Sequence, residues 1–303
     1  MYRICLMMAG AAAALFAQAD TLKVCSYNVR THWGDLGKAN DWEKRKAMMV
    51  DLIARMDADV MGLQEANWNP QLEYLRTKLA NWEIVGGGRD DGKLKGEANP
   101  VMFRKDRLEL VDTDMFWLSE TPSVPGSKSW ETSYPRICIF ARLKVRSTGK
   151  TFVLFNTHLD HQSTKAKVNG IRMVLSRMKD VLRPGEPVFL TGDFNSHMDA
   201  PAYLETAKVL RDSYCVAKSA PEGPWRSFNN WQYVPDEREI RLSLVGGDPL
   251  KAERFFGVQN KFERIDYVFV GPDVAVRAFR TWNDSKDGRY PSDHYPVVAT
   301  VEL

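Results

Sequence analysis

The residues of this chain best suited to acid, base and metal chemistry gather at the ends of short apolar runs. From Thr151 to Asn195 the sequence reads TFVLFNTHLDH, a helix-like span, then PVFLTGDFNS. Phe152–Phe155 stops at Asn156, His158, Asp160 and His161, and Val188–Leu190 stops at Asp193, Asn195 and His197. Leu22–Tyr27 ends at Asn28 and Arg30, and Val60–Leu63 ends at Gln64 and Glu65. Arg264–Val270 opens around Asp266, and Ser292, Asp293 and His294 stand just before the last apolar run. Short apolar runs bounded by turn residues read as buried strands, and in α/β sheets chemistry collects just beyond strand ends.

Glu65 and Asp293, with Asp193 or Asn28, offer oxygen ligands that suit Mg²⁺ or Mn²⁺. Carboxylates, two histidines and amide donors around such an ion suit attack of water on phosphorus: cationic groups neutralise phosphoryl oxygens while a carboxylate orients the nucleophile. Each group also has a plainer reading. Glu65 could cap a following helix, and Asn and Asp commonly make turns. It is the recurrence at six strand ends that argues for a site. No CxxC, HExxH, GxxxxGK[ST] or GxSxG spacing is present, which speaks against zinc sites, P-loops and serine-hydrolase elbows.

Several elements must position these groups. Periodicity predicts helices over Trp42–Met56, Pro70–Leu79, Val168–Leu182 and Ala202–Leu210. Further strands are predicted at Glu83–Val85, Val101–Phe103, Leu108–Phe116 and Ile137–Val145, with a terminal strand after His294. The glycine-rich stretch from Gly86 to Gly92 joins strands, so it reads as a plain loop rather than a phosphate cradle. The tryptophan-flanked loop from Phe116 to Trp130 is either a substrate wall or an anchor to the core. Ser219–Lys261 is the least regular stretch, a surface excursion near the site, partly β.

The 303 residues, 44% hydrophobic and 27% charged, fit one folded domain over residues 20–303 behind a leader. Met1–Ala19 carries Arg3, an apolar stretch from Ile4 to Ala17 and an Ala17-Gln18-Ala19 cleavage signal, so it reads as an export signal rather than a membrane span. Export leads to the periplasm or the exterior. Its removal would take away Arg3 and lower the formal net charge of +3 by one. Such balance argues against a broad nucleic-acid-binding surface. Cys25, Cys138 and Cys215 remain, an odd number set in or beside apolar stretches. They are expected to be buried, without a disulfide framework.

In order, SYNVR, GLQE, NTHLDH, GDFN, RIDYVFV and SDHYPV resemble the endonuclease/exonuclease/phosphatase superfamily, from about Leu22 to Leu303. NTHLDH and the FWLSETP stretch look most similar to secreted bacterial members related to the deadenylase-like branch. The resemblance implies an α/β four-layer sandwich: two mixed β-sheets packed face to face, helices on the outer faces, and the site at one edge. It implies Glu65 as the principal Mg²⁺ (or Mn²⁺) ligand, with Asn28 and Asp293 completing or supporting the shell. Asp193 would orient or deprotonate the water, and Asn195 would hold it or a phosphoryl oxygen. His158 would donate to a nonbridging oxygen. His294, kept cationic by Asp266, would contact the phosphate. Asp160 and His161 would support these groups. Arg30, His32, Arg136 and Arg172 are candidates for binding substrate phosphate, though His32 and Arg172 read equally well as surface ion-pairing residues.

The expected activity is metal-dependent hydrolysis of a phosphoric ester, diester or monoester, with a phosphorylated small molecule favoured. An extracellular nuclease is the rival enzyme, and a non-catalytic binding protein on the same fold is the rival of another class. That rival predicts loss of a motif residue, and all are present. A monomer without a membrane span is expected.

Overall fold

A computed structural model describes residues 21–232 and 264–303. The leader and most of the Ser219–Lys261 excursion, residues 233–261, lie outside the described residues. Among the described residues, twelve strands form two six-stranded sheets. The first runs β11 (Ala275–Thr281), β12 (Val297–Glu302), β1 (Thr21–Asn28), β2 (Val60–Gln64), β4 (Val101–Arg104), β3 (Trp82–Val85). The second runs β5 (Leu108–Trp117), β6 (Ile137–Val145), β7 (Thr151–His158), β8 (Val188–Asp193), β10 (Asp266–Val270), β9 (Arg211–Asp212). The two orders correspond: an antiparallel hairpin, a parallel pair joined by a helix, then two antiparallel strands. The parallel pairs are β1–β2, crossed by α1 (Trp42–Met56), and β7–β8, crossed by α3 (Thr164–Val181). Both sheets are mixed, as the resemblance implied.

Sequence period fixes which side chains meet between the sheets, because successive strand residues point to opposite faces. Leu22 and Val24 of β1, Phe152 and Leu154 of β7, and Phe189 of β8 share one core cluster. The alternate residues pack in two other clusters, one with α3 and α4 (Pro201–Ala207), the other with α1 and α2 (Glu73–Lys78). This gives a four-layer sandwich. Following the inward stripes toward one rim, each turns polar: Ser26 and Asn28, Gln64, Asn156 and His158, Thr191 and Asp193, and Asp266.

The first polar level is structural. Asn156, fully buried, donates Nδ2–H to the carbonyls of Leu63 at 2.7 Å, Asn99 at 3.0 Å and Pro100 at 3.2 Å. Its Oδ1 accepts from Gln64 Nε2 at 2.8 Å and Thr191 Oγ1 at 3.0 Å. Gly62 makes room for this network, since a Cβ there would lie 2.1 Å from Thr191 Oγ1. Asn156→Leu would strand several buried polar groups of both sheets, each costing about 1–3 kcal/mol. A loss of about 3 kcal/mol or more is expected in urea unfolding; a loss below about 1 kcal/mol would show that water replaces the network.

Several predicted elements are adjusted. The third predicted helix starts four residues early, at Thr164, because Ser163 caps it by accepting the Ala166 N–H at 3.1 Å. The predicted Pro70–Leu79 helix divides into a π-turn at Trp68–Leu72 and α2. Strand β11 was not anticipated. Cys25 and Cys138 are buried free thiols, but Cys215 is exposed on the short helix Ser213–Val216. Burial was expected there from the neighbouring apolar residues; a one-turn helix buries only Ser213 and Tyr214. No helix among the described residues is long and apolar enough to cross a membrane.

Candidate active site

The carboxyl ends of β1, β2, β7 and β8 share one rim because both pairs run parallel. Strand β10 runs antiparallel to β8 and starts at that rim, placing Asp266 opposite Asp193; His158 also pairs with Asp193 in register. Asp293 and His294 come to the same edge just before β12, which is antiparallel to β1.

Asn28 lies at the centre of the cluster. Its Nδ2 donates to Glu65 Oε1 and to Asp193 Oδ2, both at 2.9 Å, while its Oδ1 accepts the Arg30 N–H at 2.9 Å. Asn28 therefore ties two carboxylates together through its nitrogen, while its oxygen, which accepts one backbone hydrogen bond, keeps a second lone pair. Glu65 sits at φ 57, a left-handed conformation that turns the chain out of β2. It caps no helix: Oε2 accepts the Thr31 N–H at 3.2 Å. Burial pushes its carboxyl up, but Arg30, the Asn28 amide, His294 and the Thr31 N–H outweigh that and hold it below the ordinary range.

Asp193 accepts from Asn195 N at 2.8 Å through Oδ1. Burial, reinforced by Asp266, pushes its carboxyl up to about 7 against the opposing pull of His294 and its hydrogen bonds. Burial also raises Asp293, helped by Glu65; its Oδ2 lies 3.6 Å from Arg30 Nη1. His294 Nδ1 bonds Asp266 Oδ2 at 2.8 Å, and its Nε2 lies 3.8 Å from Asp193 Oδ2. Burial alone would lower His294, but Asp266, Asp193 and Asp293 overcome it and lift it to about 10, so an imidazolium is held there.

His158 is the opposite case. Burial, then the charges of Arg136 and Arg89, push it well below the usual histidine range, so it is neutral. Asn195 Nδ2 donates to His158 Nε2 at 2.9 Å and to the Leu159 carbonyl at 3.1 Å. Both amide hydrogens of Asn195 are therefore engaged, which leaves Oδ1 for water. The remaining proton of His158 is on Nδ1, buried without a protein partner.

Arg30 and Arg136 line the same cavity as Glu65, His158, Asp193, Asp293 and His294; it encloses about 1100 Å³. Arg136 is buried, with Nη2 on His161 Nδ1 at 3.2 Å and Nε 3.6 Å from Asp160, yet Nε and Nη1 make no hydrogen bond. Arg172 is not brought to this site. It is exposed on α3 and pairs with Glu205 of α4 at 2.8 Å, because the α3 face packed on the sheet is the one carrying Ile171, Val174 and Leu175. His32 bonds Asn67 Oδ1 at 2.9 Å outside the cavity lining. His197 lines the cavity and pairs with Asp199. Asp160 accepts four bonds, from Thr132 Oγ1, Ser133 N, Gln162 N and Ser163 N, and so anchors the loops carrying Arg136 and His161.

Sequence reading missed Arg45, Arg89, Glu97 and Tyr134. Arg89 lies in the glycine-rich stretch read as a plain loop and Glu97 just beyond it; the charges between two predicted strands were the available signal. Of the two readings of the 116–130 loop, anchoring holds for Trp117, whose Nε1 donates to the Arg89 carbonyl at 2.6 Å. The wall is formed by Tyr134, just beyond it. Phe228, Asn230 and Trp231 of the irregular excursion also line the cavity.

Asp266→Asn would remove the charge that keeps His294 cationic. With the geometry of the pair retained, kcat on a phosphate ester is expected to fall by about 10²- to 10⁴-fold. An unchanged kcat would remove His294 from the chemistry.

A rim of carboxylates, amides and paired imidazoles on a two-sheet α/β sandwich defines a class of phosphoric ester hydrolases. The chain belongs to the Endonuclease/Exonuclease/phosphatase family, whose model matches residues 25–294. It is 30% identical to an endonuclease/exonuclease/phosphatase of Bacteroides vulgatus, with a TM-score of 0.80 over 94% of this chain and 99% of that one. It is 31% identical to a mannosyl-6-phosphatase of Bacteroides thetaiotaomicron, with a TM-score of 0.78 over 93% of this chain and 100% of that one. Nocturnin of Drosophila melanogaster is 24% identical over 94% of this chain and 47% of its own length, so this chain spans about half of that relative.

Proposed function

We propose that this protein is an exported, divalent-cation-dependent phosphomonoesterase acting on a small phosphorylated sugar-like molecule. The observation that carries this reading is the cavity of about 1100 Å³, in which the acid–base cluster shares its space with Arg89, Tyr134, Arg136 and Trp231. Built walls beside the reactive rim suit a discrete small molecule, and the likeness to a mannosyl-6-phosphatase supports the same class. The Met1–Ala19 pattern supports export, which N-terminal sequencing of the secreted or periplasmic protein tests.

The donor set fits a hard cation. Glu65, Asp193 and Asp293 present carboxylate oxygens to one cavity, and Glu65, His158 and Asp193 form a group with ligand atoms within 4.8 Å of one another. Glu65 and Asp293 would hold the ion, which would supply charge neutralisation at phosphoryl oxygens. Asp193, with Asn28 and Asn195 fixing its oxygens, orients water and takes its proton; a carboxyl raised to about 7 suits a base at neutral pH. Imidazolium His294, held through Asp266, donates Nε2–H to a phosphoryl oxygen. Arg30 and the free N–H groups of Arg136 bind the remaining oxygens.

The test compares a hexose 6-phosphate with bis(p-nitrophenyl) phosphate, before and after chelation and Mg²⁺ or Mn²⁺ replacement. Preferred hydrolysis of the monoester, lost on chelation and restored by the ion, is expected. Cleavage of the diester alone would favour the phosphodiesterase or nuclease reading, and failure of Mn²⁺ to bind in calorimetry would favour a non-catalytic protein.

A further inference from the structure

One wall of the cavity has no part in the hydrolytic steps described above. The loop joining β3 to β4 folds back on itself, with Arg89 N donating to the Glu97 carbonyl at 2.9 Å and Trp117 Nε1 donating to the Arg89 carbonyl at 2.6 Å. This brings Arg89 Nη1 to Glu97 Oε2 at 2.6 Å, with both side chains about nine-tenths buried and Arg89 Nε lacking any hydrogen-bond partner. The guanidinium carbon lies 4.7 Å from the centre of the Tyr134 ring, which is itself stacked on His161 at 6.0 Å. Tyr134 is 51% exposed. A buried guanidinium–carboxyl pair with an unmatched donor, beneath a half-exposed aromatic ring, is more than a packing feature needs. All three residues line the cavity that holds Glu65 and Asp193.

We infer that Arg89, Glu97 and Tyr134 form a polyol-reading subsite that binds the sugar-like leaving group. The Tyr134 ring packs on the C–H face of the ring, while the Glu97 carboxylate accepts from one hydroxyl and Arg89 donates to its neighbour. A carboxylate beside a guanidinium matches adjacent hydroxyls, which each offer a donor and an acceptor. The inference rests on the phosphomonoesterase reading and specifies which part of the substrate the enzyme selects.

The test measures kcat/KM of wild type, Glu97→Gln and Tyr134→Ala on a hexose 6-phosphate and on methyl phosphate, which has neither hydroxyls nor a ring. The ratio of the two substrates is expected to fall about ten- to a hundred-fold in Glu97→Gln, and about three- to ten-fold in Tyr134→Ala. Tyr134 is exposed enough that its truncation leaves the core intact. A parallel fall on both substrates, or an unchanged ratio, overturns the inference. If wild type hydrolyses neither substrate, the phosphomonoesterase reading fails and calorimetric binding of hexose 6-phosphate decides the subsite. Binding that both variants weaken supports it; equal binding, or none to wild type, overturns it.

Discussion

Asp193→Asn is expected to yield a folded protein that turns over a phosphomonoester about a thousand-fold more slowly or worse. Three features of Asp193 make the effect large. It is buried at the rim, where its charge is disfavoured, so its carboxyl has a proton affinity suited to accepting a proton near neutrality. Its oxygens are fixed separately, one by Asn28 Nδ2 and one by Asn195 N, which sets the direction of the remaining lone pairs. It also lies 3.8 Å from His294 Nε2, which sets the group that activates water beside the group that stabilises the phosphoryl charge. An amide keeps the shape but cannot take the proton, so kcat should fall more than KM rises. A single cooperative thermal transition would show that folding is retained. A kcat reduced less than about ten-fold would assign the base to another residue.

Arg45→Met should produce the largest stability loss in the first half of the chain, about 3–5 kcal/mol. Arg45 is 1% exposed, although it lies within a charged-looking helix. Its guanidinium donates to the carbonyls of Asn40 at 3.1 Å, Val29 at 2.7 Å, Arg30 at 2.6 Å and Pro291 at 2.9 Å. Its carbon also lies 5.1 Å from the Trp42 ring centre and 5.6 Å from that of Trp231. Three of these carbonyls, those of Val29, Arg30 and Pro291, belong to the turn after Asn28 and the turn before Asp293. Methionine fills much of the volume and satisfies none of them. The expected readouts are a lower urea midpoint and weaker Mn²⁺ binding by calorimetry, since Arg30 and Asp293 lose a common support. A variant within about 1 kcal/mol of wild type would mean that water takes over the carbonyls.

Much of the site was legible because strand ends are local signals. Asn28, Glu65, His158, Asp193, Asp266 and His294 each lie within three residues of an apolar run, and period-two alternation carries Asn28, His158, Asp193 and Asp266 to one face. What the rim does with them was less legible. Asn28 reads as a ligand by residue type; the sequence does not show that its nitrogen bridges Glu65 and Asp193. Asn195 reads as the residue that holds the water or a phosphoryl oxygen; the sequence does not show that its nitrogen meets His158 and the Leu159 carbonyl. Those outcomes depend on side-chain direction across strands far apart in sequence.

The sequence by itself determined most of the strands, the helices between them and the polar residues at strand ends, because hydrophobic period and turn chemistry act within a dozen residues. Only the tertiary structure decided which charges share a cavity. It turned Arg172 outward to Glu205, brought Arg45 under two turns from opposite ends of the chain, and set Arg89 and Glu97 beside Tyr134. The physical reason is that a charged side chain in water costs little wherever it points. Its direction is chosen by the partners that burial supplies, and those come from strands paired across the whole chain.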